Sequence, residues 1–210
     1  MGLTRRTKLR LAAVCRACPV LIINASMTFM VGFTATGGGI LGATLRIPVR
    51  PRVFVSYHHS GDQGYYREFS RIFHDQYEVI EDRSLDRAKN SDDSDYVRWA
   101  IANQDIKGTS CTIVLCGAET YQRKYVDWEI KATLDDRHGL IGVRLPTAQS
   151  NTQGHIIVPD RLASNIHSGF ALWVNWIDLT VQNLKEWIAI ARDKPANHIV
   201  NPATIKQRNG

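Results

Sequence analysis

Two periods of apolar residues alternate along this chain, and the switches between them mark its elements. 52-RVFVSY-57 is a short β-rich run, bounded by Pro51 and by the polar loop 58-HHSGDQG-64, and predicts a strand. Over 62–77 the apolar positions Tyr65, Tyr66, Phe69, Ile72, Phe73 and Tyr77 have helical spacing, with Asp62 as a cap. 77-YEVIED-82 predicts a second strand, and 83–95 a charged loop without an apolar period. A helix over 95–106 follows, its start enriched in acid from Asp92 to Asp95, as the helix dipole prefers. 109-TSCTIVLCG-117 is an unbroken apolar run of the kind buried on both faces of a parallel sheet. A helix within 121–137, a strand at 139–145, a loop at 146–155, a strand at 170–176 and an amphipathic helix at 180–193 complete the series. Trp173 and Trp176, three apart on that last strand, point to opposite faces of the sheet.

Strands alternating with helices mean βαβ units. The expected fold is α/β: a flavodoxin-like, doubly wound parallel sheet of about five strands. The domain would span 51–195, with an extension over 1–50 before it and a tail over 196–210 after it. Sheets of this kind bind ligands at the carboxyl ends of their strands. That end gathers 57-YHHSGDQ-63, 81-EDRSLD-86 and 117-GAETYQ-122 around one crevice.

Charge changes the picture at the amino end only. The chain has 210 residues and a net charge of +6, but residues 1–52 hold eight basic side chains and no acid. The remainder carries 18 basic against 20 acidic residues, so the body is near neutral and bulk nucleic-acid binding loses its support. The uncharged run 17–45 is long enough to span a bilayer and follows basic residues, yet it is rich in Gly, Thr, Ser and Asn. A membrane anchor, a secretory signal, a disordered tail and an untranslated stretch with the true start downstream compete for it. Cys15 and Cys18 form a lone CxxC without a second pair, which argues against zinc, and Cys111 and Cys116 read as small core residues. With no disulfide framework, the cytoplasm is the natural home of the body.

No GxGxxG, P-loop, HExxH or GxSxG motif occurs. His58 and His59 are adjacent on an extended segment and point opposite ways, so they do not share a metal. Glu129 is the sharper signal. In a helix turned from Tyr125 at 0°, it falls at roughly 40°, inside the apolar arc, while Lys124, Asp127, Lys131 and Asp135 take the wet face. A buried glutamate is either paired with an Arg or backbone donors, or neutral. A positioned carboxylate also suits N-glycosidic cleavage, where it stabilises an oxocarbenium-like ribosyl cation. One carboxylate is enough when the leaving group is already a cation, as nicotinamide is in NAD.

The run 53-VFVSYHHSGD-62, the run Tyr125-Val126-Asp127-Trp128-Glu129-Ile130 and the five-strand order resemble a TIR domain. Tyr125 stands at the Trp position and Glu129 at the Glu position of that family's W-C-x-x-E-[LI] motif. More narrowly, 108–143 is similar to the bacterial TIR-like subgroup that includes the signal-producing component of Thoeris antiphage defence. The resemblance implies an enzyme that takes NAD as substrate, needs no cofactor or metal, and makes a cyclic ADP-ribose-type messenger for a separate effector. It implies self-association through the domain and no nucleic-acid partner. It makes Glu129 the catalytic residue. Substrate binding would fall to Tyr57, His58, His59 and Asp62 after the first strand, to Glu81 and Asp82 after the second, and to Tyr125. The chain departs from the family in having His58-His59 where Arg-Gly is usual, and no Pro-Gly in 83-RSLDRAKN-90. Two other readings stand beside this one. One is a non-catalytic TIR-like module that binds a protein partner or senses a nucleotide. The other is a base-modifying or nucleoside-processing enzyme of similar fold.

Overall fold

A computed structural model of the chain describes residues 51–81 and 93–209. The extension over 1–50, with its competing readings and its CxxC, lies outside the described residues, as do Asp82 and most of the predicted charged loop. Five parallel strands form one sheet in the order β2-β1-β3-β4-β5. They are β1 Arg52–Ser56, β2 Glu78–Glu81, β3 Cys111–Cys116, β4 Gly139–Arg144 and β5 Leu172–Asn175. This is the expected flavodoxin-like order, and its topological switch point lies between β1 and β3.

The helices are α1 His59–Phe73, α2 Ser94–Ala100, α3 Lys124–Asp135, α4 Asp160–His167 and α5 Val181–Arg192. Alternation along the strands sends each to one face of the sheet. Val53, Val55, Tyr57, Ile113 and Leu115 pack under α1 and α5, against Phe69, Phe73, Leu184 and Ile188. On the other face Val114, Cys116 and Leu140 meet Val126, Ile130 and Leu134 of α3, and Phe54 meets Trp128, Val97 and Ile101. Each of these fully buried large side chains contributes about 1.5–3 kcal/mol relative to exposure. Trp173 packs on the α3 face and Trp176 on the α1 face, although Trp176 lies just past β5, in a 3-10 turn over Trp176–Asp178, and not on the strand as expected.

Several boundaries differ from the sequence expectation. Helix α1 starts three residues earlier, so Asp62 sits in its first turn and His58 takes the cap position. Asp93 caps α2, its carboxylate accepting from the N–H groups of Asp95 and Tyr96 at 2.8 and 3.2 Å. After Ala100 the helix widens into a π-helical turn over Ile101–Ile106. Helix α4 was not anticipated. Its signals are Pro159 at the cap, Asp160 in the first turn and the Leu162–Ile166 spacing.

The polar side of α3 is wet only in part: Asp135 is exposed, but Asp127 is covered. Residues 199–206 run across it as a strap. Trp128 Nε1 donates to the carbonyl of Lys206 at 2.8 Å, and the Lys206 N–H donates to Asp127 Oδ2 at 2.9 Å. Arg161 of α4 is 4% exposed and holds both sides of this seam. Its Nε donates to Asp127 Oδ1 at 2.9 Å, and its other nitrogens reach the carbonyls of Pro202 and Thr204 at 2.8 and 2.6 Å. Among the described residues no helix is long and apolar enough to cross a membrane.

Candidate functional site

A cleft of about 260 Å³ opens over the carboxyl ends of β1 and β3, at the topological switch point. His58, Gly61 and Asp62 line it from the start of α1, Ala118 and Glu119 from beyond β3, and Thr147 from beyond β4. Two other hollows lie elsewhere, one of about 280 Å³ beside the strap and a larger one of about 450 Å³ between α4 and β5.

Helix α1 starts at the cleft because the chain turns immediately after β1. The N–H groups of Gly61 and Asp62 donate to the carbonyl of His58 at 3.1 and 2.7 Å. Asp62 is 2% exposed. Thr120 donates its hydroxyl to Asp62 Oδ2 at 2.9 Å, while accepting from the N–H of Gly117 at 2.9 Å. Gly117 is required at that point: a Cβ there would lie 2.0 Å from Asp62 Oδ1. Burial pushes the Asp62 carboxyl above its usual range, and its hydrogen bonds from Thr120 and the His58 backbone offset only part of that rise. Burial likewise holds His58 below the usual imidazole range, with Arg123 adding to the effect. At neutral pH His58 therefore faces the cleft as a neutral donor–acceptor.

The residues expected to bind a ligand separate into three groups. His58 and Asp62 line the cleft. Tyr57 is 1% exposed and stacks between His59 and Tyr66 at 4.5 Å from each, its hydroxyl donating to Gln63 at 3.0 Å. Tyr125 packs edge-on against Trp128 at 5.2 Å on α3, away from the cleft lining. Glu81 ends β2 beside Val55, with only its backbone described, and Asp82 lies outside the described residues. Thr147 was missed, and Glu119, inside the run 117–122 placed at the crevice, was not singled out as a binding residue. Glu119 was legible as an acid just beyond a central strand. Thr147 carried no signal, because its place depends on how β4 registers against β3.

Glu129 is fully buried and is not among the residues lining this cleft. On α3 the sheet-facing arc runs from Trp128, at roughly 300°, round to Leu134, at roughly 180°, so its midpoint is near 60°. Glu129 at roughly 40° and Thr133 at roughly 80° flank that midpoint. Glu129 thus points at the sheet itself. Thr133 fixes the register, its hydroxyl lying 2.7 Å from that of Thr112 on β3 and 2.8 Å from the Glu129 carbonyl. α3 runs antiparallel to β3, so one turn back from Thr133 carries Glu129 toward the carboxyl ends. Both cysteine thiols of the sheet, Cys111 and Cys116, are pushed far up by burial, so neither acts as a nucleophile here. Among the described residues no group of three His, Cys, Asp or Glu side chains is arranged to hold a metal.

Residues 54–150 match the family model described as the TIR-like domain of the Thoeris protein ThsB. None of the curated proteins matches the chain. The matched segment begins in β1, takes in the whole cleft and α3, and ends beyond β4. Residues 54–150 are therefore a TIR-like domain, similar to that of the Thoeris protein ThsB, which supports a defence and signalling module.

Proposed function

We propose that this domain cleaves the nicotinamide–ribose bond of NAD and makes a cyclic ADP-ribose-type signal in antiphage defence. The observation that supports the reading is a carboxylate, Glu129, fully buried on α3, in a fold that opens a cleft at its switch point. The C1′–N bond breaks and its electron pair leaves with nicotinamide. Glu129 stabilises the ribosyl cation, and a nucleophilic atom of the same ADP-ribose captures C1′, losing its proton. His58 and Asp62 hold the nucleotide from the cleft, His59, Glu81 and Asp82 are further candidates to bind it, and Tyr57 and Tyr125 act only through packing. The domain works by self-association, and its product reaches a separate effector.

One observation favours a second reading. Glu129 is sealed from solvent in this conformation, which suits a non-catalytic module that binds a nucleotide or a partner in the cleft alone. Turnover requires a movement that opens the floor of the cleft to Glu129.

The test incubates the full chain with NAD at high protein concentration, beside Glu129→Gln, and follows nicotinamide release and the mass of the second product. The expected result is release by the wild type, a product isobaric with cyclic ADP-ribose, and at least about 100-fold loss in a folded Glu129→Gln protein. Full turnover by that variant would remove Glu129 from the mechanism. NAD binding without release by either protein would favour the sensing module.

A further inference from the structure

Helix α3, which carries Glu129, does not cap itself. Arg123 stands at its cap position and makes no side-chain bond to the helix, where Ser, Thr, Asp or Asn would satisfy a free N–H. The missing acceptor comes from beyond the strap's inner end: the N–H of Lys124, the first residue of α3, donates to Asn209 Oδ1 at 3.0 Å. Lys206 adds three contacts. Its Nζ donates to the carbonyl of Tyr121 at 2.7 Å, its N–H to Asp127 Oδ2 at 2.9 Å, and its carbonyl accepts from Trp128 Nε1 at 2.8 Å. All of these land on residues 121–128, the segment that leads into Glu129. The other end of that segment reaches the cleft, through Glu119 in its lining and the Thr120 hydroxyl on Asp62. The chain between cleft and sealed carboxylate is therefore the part that residues 206–209 hold from outside. That hold can be given up locally. Residues 206–209 form neither helix nor strand, and Asn209 is exposed. Segments of this kind lie at the low end of local stability. Arg161 grips the strap further in, at Pro202 and Thr204, so the outer end can lift while the inner end stays. Arg123 Nε, inside the held segment, is buried and has no hydrogen-bond partner among the described residues. A buried donor in that state favours any shift that admits water to it.

We propose that residues 206–209 are an autoinhibitory clasp on Glu129. In place, they cap α3 and pin residues 121–128 in the arrangement that keeps the carboxylate sealed. Lifted, they leave the start of α3 uncapped, and its first turns shift to open a path from the cleft to Glu129. The inhibitory role rests on the NAD-cleaving function above; the grip on α3 rests on the hydrogen bonds alone. A segment that merely supports the fold has the opposite signature, because loosening it lowers turnover instead of raising it.

The experiment compares the full-length wild type with the double variant Lys206→Ala/Asn209→Ala and with Asn209→Asp, in which a carboxylate keeps the acceptor for Lys124. Amide hydrogen exchange reads the grip, and nicotinamide release from NAD reads the inhibition. In the double variant the amides of residues 127–130 should exchange about tenfold faster, while those of β3 and β4 stay as they are. Nicotinamide release should rise at least about fivefold in kcat, with KM within about twofold. Asn209→Asp should match the wild type in both readouts. Unchanged exchange in the double variant overturns the clasp. Faster exchange with equal or lower release from the folded protein assigns residues 206–209 to support of α3 and overturns the inhibition. Release absent from every protein removes the NAD-cleaving reading and the inhibition with it. Release by the wild type that does not rise in the double variant removes the inhibition alone.

Discussion

Asp62 is an acid in the first turn of α1 that the fold has taken out of water, and its titration has a definite sign. Its folded-state carboxyl titrates above the unfolded value of 3.8, chiefly because burial disfavours the charge. Between those two points the native state binds more protons than the unfolded state. The stabilising contribution of Asp62 is therefore complete below the unfolded value and is lost as pH rises through the native one. Urea melts at a series of pH values, compared with Asp62→Asn, should show this falling component in the wild type and not in the variant. A pH slope identical in the two proteins would mean that Asp62 is solvated. Residue-level features of this kind were legible only where the chain encodes them locally. The helical period placed Glu129 in the apolar arc, and the structure buries it there. The same period put Asp127 on the wet side, where Arg161 and the Lys206 N–H cover it instead. Those partners come from 34 and 79 residues away, a distance that no local pattern reports.

Among the elements, α4 is a short helix that ties others together, and it was the α-helix the pattern missed. Eight residues give barely two turns, too few for the apolar period to stand out, although Pro159 and Asp160 announced its start. Its Arg161 joins α3 to the strap through a buried ion pair and two carbonyl contacts. Arg161→Ala leaves Asp127 buried without its cation, and the expected cost is about 3–5 kcal/mol in urea unfolding. Arg161→Lys should recover little of it. A single ammonium cannot serve Asp127, Pro202 and Thr204 in the planar arrangement the guanidinium uses. A loss below about 1 kcal/mol for Arg161→Ala would show that the seam is solvated. The strands, by contrast, were read nearly to the residue. Runs such as 111–116 are apolar on both faces, and only a central strand of a parallel sheet needs that.

At the scale of the whole molecule, alternation predicted a parallel doubly wound sheet, the flavodoxin-like order was chosen among such sheets, and the cleft followed from the switch point. Its exact lining did not, because Glu119 and Thr147 reach it only after β3 and β4 have registered. The strap has a consequence in time. Lys206 meets Trp128 across 78 residues of chain, so closing this seam waits on the non-local contacts that bring the strap to α3, those of Arg161 among them. A parallel sheet is itself assembled from non-local pairings, which makes it slow to form. During refolding, α3 should settle on the sheet before its outer side is covered. Pulses of trypsin at successive refolding times should find Lys206 open to cleavage after Lys131 has become protected; simultaneous protection would contradict this order. The helix that carries Glu129 is thus fastened last, and a partly folded chain holds its carboxylate on a helix that can still shift.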